Sequence, residues 1–208
     1  PTIAVNRQCS SGLEAINMAA QLVRTGEAEI VVAGGTENMS QVPFLIEYKA
    51  RFDGLRMGNS QLVDGLTEGL GCPVNRYHMG VTAENVAEKY QITRAQQDEF
   101  AVKSQSKAAE AIKTNRFKDE IVPIKIKDEK IFDTDEYPKI GTTLEKLATL
   151  KTVFKKDGTV TAGNASGLND GAAALTIMTG KTAKEKDLKP LAKIISWAQC
   201  GVDPSIMG

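Results

Sequence analysis

An α/β layered body interrupted by an inserted, mostly helical loop domain is the fold class that this sequence predicts. Three observations carry it. A segment of helical period, residues 10 to 25, runs directly into the short apolar run "EIVVAGG" (Glu29 to Gly35), and helix followed by buried strand is half of a layered sheet. A strand, polar turn, strand pattern returns late, in "TVTAGNASGLNDGAAALTIMTG" (Thr159 to Gly180). Between the two, glycines first break the periodicity and long helices then restore it. The layered body is therefore expected at 1–40 and 158–208, and the insertion at 41–157.

Taken in order, the first helix presents Leu13, Ile16, Met18, Ala19, Leu22 and Val23 as its apolar side, with Gly26 as its C-terminal cap. The strand after it exits through glycine and reads as buried. In 36–80 the glycines at 54, 58, 65, 69, 71 and 80 leave loop with short helical pieces. "TAENVAEKY" resumes as helix, with Thr82 as its expected cap. "TRAQQDEFAVKSQSKAAEAIKTN" predicts a long helix, opened by a Thr93–Gln96 capping box, with Phe100, Ala101, Ser104, Ala108, Ala111 and Ile112 mainly on one side. "IVPIKIK" alternates like a half-exposed strand, and Pro123 suggests an edge. Residues 128–159 read as a charged surface excursion, and "LAKIISWAQCGVD" as a last strand.

Composition narrows the function classes. The 208 residues are 41% hydrophobic and 25% charged, ordinary proportions for a chain with a core. Lys plus Arg equals Asp plus Glu at 26 each, so nothing recommends nucleic acid or an anionic membrane as a partner. No run of about eighteen apolar residues predicts a membrane span. Three cysteines, at 9, 72 and 200, give neither C-x-x-C spacing nor a disulfide framework, and reduced thiols in an intracellular compartment fit best. The chain begins at Pro1 without a signal or transit pattern, and both ends read as cut from something longer.

"VNRQCSSGLEAINMAAQLVRTG" raises the chemical question, because it sets Cys9 at the mouth of the first helix. A free thiol titrates at about 8.5, so little of it is thiolate at neutral pH. A helix N-terminus offers unpaired N–H groups and roughly half a positive charge, both favouring the anion. Ser10, Ser11 and Gly12 are small enough for a reactant to approach, and no acid stands near before Glu14. These are the parts of an activated nucleophile. A buried structural cysteine is the plainer alternative; Cys72 and Cys200, without a helix mouth beside them, are read as structural or incidental.

Four segments, in order, decide between the two. "VNRQCSSGLEAI" resembles the nucleophile segment of thiolases, the acyl-CoA acetyltransferases, and "VVAGGTENMSQVPF" resembles the strand and glycine loop behind it. "YHMGVTAENVAEKYQITRAQQDEFAVKSQSKAAEAI" is similar to the pocket loop and long helix of the acetoacetyl-CoA type. "TVTAGNASGLNDGAAAL" resembles the late motif beside the pantetheine. The resemblance implies a thiolase-like layered α-β-α fold, of which this chain holds an incomplete N-terminal thiolase domain, with the loop domain serving CoA binding and oligomer contacts. It also implies ping-pong chemistry: Cys9 attacks an acyl-CoA thioester and holds the acyl group. A second acetyl-CoA then attacks that group in a Claisen condensation to acetoacetyl-CoA, and thiolysis of a 3-ketoacyl-CoA is the reverse. The oxyanion needs aimed N–H donors, and the Cys9 amide and glycine-rich backbone are the candidates.

The same resemblance distributes the remaining roles. His78, the only histidine, would line the acyl and pantetheine pocket and would not be the general base; as a metal ligand it stands alone, so no metal site is expected. Met79 would shape the acyl slot, against the ordinary reading of a core methionine. Ser166 would hydrogen-bond the pantetheine arm, with Ala162 and Gly163 letting it lie close, while Asn169 and Asp170 are read as turn builders. Leu66 would touch the pantetheine or adenine end. Lys139 would face the CoA phosphates with Lys146 near it, where related thiolases carry an arginine; a solvated lysine is the default alternative.

Coenzyme A thioesters enter as substrates, with no permanently bound cofactor, and the acetyl-CoA/acetoacetyl-CoA pair is the expected partner chemistry. A homodimer or homotetramer follows from the resemblance, and a cytoplasmic location is expected, with mitochondrion and peroxisome left open. The family segments "NEAF", "GHP" and "CGGG" do not occur here, so the asparagine, the histidine that activates the nucleophile and the second cysteine would lie elsewhere. This chain alone is therefore expected to be inactive. Three rival readings are weaker. Ketoacyl or hydroxymethylglutaryl-CoA synthases use other pocket motifs than "HMGVTAENVA". A non-catalytic acyl-CoA or lipid-binding relative has no need of the Cys9 motif. A dinucleotide site in "AGGTENMSQ" lacks G-x-G-x-x-G spacing.

Overall fold

The structure, a computed structural model, describes residues 1–207. In chain order it forms α1 (Ser11–Thr25), β1 (Ile30–Asn38), β2 (Phe44–Leu45), α2 (Lys49–Asp53), β3 (Val63–Asp64), α3 (Gly65–Gly69), α4 (Met79–Lys89) and α5 (Arg94–Lys113). There follow β4 (Ile124–Lys125), β5 (Ile131–Phe132), α6 (Leu144–Ala148), β6 (Asp170–Met178) and α7 (Gly180–Glu185). These elements divide into two compact units. The first is Pro1–Val42 with Leu168–Gly201, and the second is Pro43–Gly167 with the chain end from Val202. Residues 158–167 were expected in the layered body. They belong to the second unit, where Glu84 of α4 accepts from their backbone and α5 holds the Thr159 and Asn164 side chains, as described below.

The first unit is a two-stranded antiparallel ladder with a helix on it. β1 pairs with β6 in register from Ile30 opposite Met178 to Asn38 opposite Asp170. α1 forms where the helical period ran, buries Ala19, Ala20 and Val23, and ends on Gly26 at φ 78°, whose N–H reaches back to the Leu22 and Val23 carbonyls. Ala33 of β1 and Ala183 of α7 are the other buried apolar residues here, so the contact is made by small side chains. The buried-strand reading of β1 needs correcting. Ala33 is buried but Val32 is 71% exposed, as in a ladder covered on one face only. Leu13, expected on the apolar side of α1, is 68% exposed, because burial is confined to the later turns.

The expected strand at 191–203 does not form. That segment makes no ladder pairing among the described residues and is held by side chains instead. Arg24 lies over the Trp197 ring at 5.3 Å, and Gln199 donates to Glu14 at 2.6 Å.

The second unit is built on α4 and α5. The Thr93–Gln96 capping box opens α5, with both reciprocal hydrogen bonds present. α4, however, begins three residues before the expected Thr82. Its cap is His78, whose Nδ1 accepts from the Gly80 N–H at 3.0 Å. Thr82 is instead buried inside the helix and donates to the Met79 carbonyl at 2.6 Å. "IVPIKIK" contracts to the two residues of β4, paired with β5 just after Pro123. "TVTA" makes only an isolated bridge, Thr161 to Thr152, because side chains occupy its backbone donors.

Candidate functional site

Cys9 is exposed and precedes α1 by two residues. Its loop is fixed by local hydrogen bonds. The Ser11 hydroxyl accepts from the Arg7 N–H at 2.8 Å and donates to the Gln8 carbonyl at 2.7 Å, while Ser10 Oγ donates to the Arg7 carbonyl at 2.9 Å. Ser10 stands at the N-cap position, yet its side chain makes no cap hydrogen bond, so the first-turn N–H groups carry no side-chain cap. Gln8, immediately before the thiol, sits at φ 51°, in the left-handed region that non-glycine residues avoid. Such strain persists only where surroundings over-determine it. Here the Asn6 side chain accepts from the Gln8 N–H at 3.1 Å, and Ser10 and Ser11 tie down the far side. The nearest acid, Glu14, is paired with Arg7 at 2.9 Å as well as with Gln199. The sequence thus places a reachable sulfur on a rigid, strained turn at an uncapped helix start.

The second unit holds the other candidates in two groups. In one, Leu66, His78 and Met79 are linked through backbone. Leu70 N–H donates to the Leu66 carbonyl at 3.1 Å, and Met79 N–H donates to the Leu70 carbonyl at 2.9 Å. Asp64 caps α3, accepting from the Leu66 N–H at 3.0 Å and the Thr67 hydroxyl at 2.6 Å; the Thr67 bond above all holds its carboxyl below the usual range. His78 is stacked on Phe154, with ring centroids 4.7 Å apart and planes at 15°. A side chain at Gly80 would collide with that Phe154 ring. With Nδ1 accepting from Gly80, His78 has Nε2 left to donate. Cys72 is buried and its sulfur accepts from the Asn75 N–H at 3.3 Å, which is a structural role.

In the other group, Ala162 and Ser166 are exposed on an irregular loop. Gly163 is half-buried, and a Cβ there would meet Leu147 and Leu150, so packing already explains that glycine. Tyr137 occupies the space a Gly167 side chain would need, and the Lys139 ammonium lies 5.8 Å from the Tyr137 ring. Tyr137 therefore brings Lys139 toward the end of the loop that carries Ser166. The Lys139 N–H is fixed by Gln105 at 2.7 Å, whereas Lys146 turns to the Gly141 carbonyl at 2.9 Å. Asp170 lies outside this loop, at the start of β6. It accepts from the Ser40 hydroxyl at 2.5 Å and the Ser40 N–H at 2.9 Å, closing the end of the ladder.

Two concavities, of about 280 and 420 Å³, lie where α4 meets α5. The first is lined by Glu84, Lys155 and Thr159 among others, and the second by Tyr90, Phe100 and Asn164 among others. None of Cys9, His78, Lys139 or Ser166 lines either. No group of three or more His, Cys, Asp or Glu residues could hold a metal among the described residues. No helix described is long and apolar enough to cross a membrane.

The sequence reading missed Gln8, Phe154 and Tyr137, and it missed Glu84, Arg94, Asp98 and Asn164, which fix the Ala162 loop. The two acids look like helix-surface charges in "TAENVAEKY" and "TRAQQDEF". Only burial distinguishes them, at 3% exposed for Glu84 and 4% for Asp98.

The family model of the thiolase N-terminal domain matches residues 1–181. An acetyl-CoA acetyltransferase of Pseudomonas aeruginosa is 54% identical over all of this chain and 54% of its own length. One from Escherichia coli is 51% identical over 98% of the chain and 52% of its own length. Among solved structures, Bacillus anthracis acetyl-CoA acetyltransferase is similar with a TM-score of 0.91 and 47% identity, over 98% of this chain and 52% of that one. Human mitochondrial 3-ketoacyl-CoA thiolase is similar with a TM-score of 0.93 and 41% identity, over 100% and 52%. The chain belongs to the thiolase family and has its α/β fold. It spans about half the length of the curated relatives it matches.

Proposed function

We propose that the protein is an acyl-CoA acetyltransferase in which Cys9 is the acyl acceptor. The observation that carries this reading is the exposed Cys9 on its strained turn at an uncapped helix start, in a chain of the thiolase family. Cys9 Sγ attacks the carbonyl of an acyl-CoA thioester, the tetrahedral oxyanion collapses, and CoA leaves as its thiol. A second acetyl-CoA loses an α-proton and its carbon attacks the S-acetyl carbonyl, giving acetoacetyl-CoA and free Cys9. Thiolysis of a 3-ketoacyl-CoA reverses these steps. The second unit is assigned the CoA arm. His78 Nε2 and the Ser166 hydroxyl are its polar contacts, Leu66 and Met79 its apolar ones, and Lys139 the cation for its phosphates. The proton transfers require a base and an acid that family motifs outside residues 1–208 would provide, so this chain alone is assigned no turnover. Assembly as a homodimer or homotetramer rests on the family resemblance, and a cytoplasmic location is proposed with it from the three unpaired cysteines.

The experiment is a Cys9→Ala substitution in the full-length protein, assayed for acetoacetyl-CoA thiolysis. Loss of a covalent nucleophile is expected to lower kcat by about 10³-fold or more. Retention of wild-type turnover would reject the reading.

A further inference from the structure

The loop 158–164 contains no regular secondary structure, yet its inward polar groups are engaged by two helices and by one another. Glu84 of α4 is a buried carboxylate that forms no salt bridge among the described residues. Its two oxygens accept from the Thr159 N–H at 2.9 and 2.8 Å, from the Thr159 hydroxyl at 2.9 Å and from the Val160 N–H at 2.8 Å. Every contact brings a hydrogen to Glu84, which acts only as acceptor. Gly158 supplies the clearance, since a Cβ there would collide with the Glu84 carboxylate.

Asp98 of α5 makes the second anchor. It accepts from Arg94 Nε at 2.8 Å and from Asn164 Nδ2 at 2.9 Å. Arg94 Nη2 also donates to the Leu147 carbonyl at 2.6 Å, tying α6 to the same carboxylate, and Leu147 is one of the side chains pressed against Gly163. Asn164 turns its other functions inward, accepting from the Thr161 N–H at 2.8 Å and donating to the Thr159 carbonyl at 3.1 Å. Thr161 is fully buried, and its hydroxyl accepts from the Gly163 N–H at 3.2 Å. Gln97 completes the set by donating to Thr159 Oγ1 at 2.9 Å.

Burying two carboxylates is costly unless their hydrogen bonds are satisfied, and these are satisfied largely by one short loop. An apolar filling would hold the helices together equally well. What the carboxylates add is direction, because Glu84 fixes backbone N–H groups and Asp98 the Asn164 side chain of a segment that exposes Ala162, with Ser166 exposed just beyond it. We infer that Glu84 and the Arg94–Asp98–Asn164 relay are positioning residues. They set the backbone of 158–164 so that the following residues meet the pantetheine arm of a CoA thioester. The inference rests on the acyl-CoA reading above and goes one step further, by naming residues that tune affinity for the thioester without touching it.

The test uses the full-length protein and separates KM for acetyl-CoA from kcat and from the alkylation rate of Cys9 by iodoacetamide. Asn164→Asp sets a second carboxylate against Asp98 and removes two donors. It is expected to raise KM about tenfold, the size of a lost buried coupling, with Cys9 alkylation within about twofold of wild type. Adding Asp98→Asn restores one carboxylate–amide pair and is expected to recover most of the KM increase. If Asn164→Asp does not fold, Thr159→Val, which keeps the volume and removes the hydroxyl shared by Glu84 and Gln97, is expected to raise KM about threefold. An unchanged KM in the folded variant, or a fall in kcat alone, overturns the inference. Failure of the acyl-CoA reading itself is distinct, because the wild-type protein would then show no turnover with acetyl-CoA.

Discussion

Gln8 shows how a single residue can fix the turn that carries an exposed cysteine. Its left-handed backbone at φ 51° turns the chain sharply, and the residue after it is the cysteine. The conformation costs an L-residue about 1–2 kcal/mol, and a β-branched side chain more. Gln8→Val is therefore expected to lower the unfolding free energy in urea by about 1–2 kcal/mol, while Gln8→Gly leaves it unchanged or raises it. Equal stability of the two variants would show that the turn stores no strain. The cysteine itself was legible in the sequence, because small residues and a helical period surrounded it. The strain was not, since nothing in "NRQC" distinguishes a left-handed glutamine from an extended one.

At the scale of elements, α1 and α5 could be read from period and capping, whereas strands were harder to read: the one expected at 191–203 does not form, and the pairing of the others was not visible. β1 and β6 were visible as apolar runs, but their pairing depends on residues 140 or so apart meeting in one register, which periodicity does not encode. The stop of that ladder is a side-chain event. Ser40, just past β1, holds the Asp170 carboxyl below the usual carboxylate range, chiefly through its hydroxyl and also through its N–H. A carboxyl depressed in the folded state stabilises it fully above the unfolded pKa of about 3.9, and that contribution is lost as pH falls through the lower folded value. Wild type should accordingly lose stability relative to Asp170→Asn as unfolding is followed from pH 5 down to pH 2. Parallel curves for the two proteins would contradict the assignment. α4 teaches the same lesson from the other side, since "TAEN" offers a plausible threonine cap, yet His78 takes the role once Phe154 has fixed its ring.

For the whole molecule, the sequence pattern put its divisions at 40/41 and 157/158, and the compact units divide at 42/43 and 167/168. "TVTAGNASG" looked like the return of the layered body because its alternation is strand-like. Glu84 takes that backbone into the second unit, and Asp98 holds the Asn164 side chain beside it. The polar anchors explain why a candidate binding loop is built without strand pairing. The chain belongs to the thiolase family and spans about half the length of the relatives it matches, and the proposal makes Cys9 its acyl acceptor. The most direct measurement is to incubate the full-length protein with acetyl-CoA radiolabelled in the acetyl group, quench in acid and map the label by peptide. Label on Cys9, with Cys72 and Cys200 blank, is the predicted result; a protein that turns over while Cys9 stays unlabelled would contradict the account.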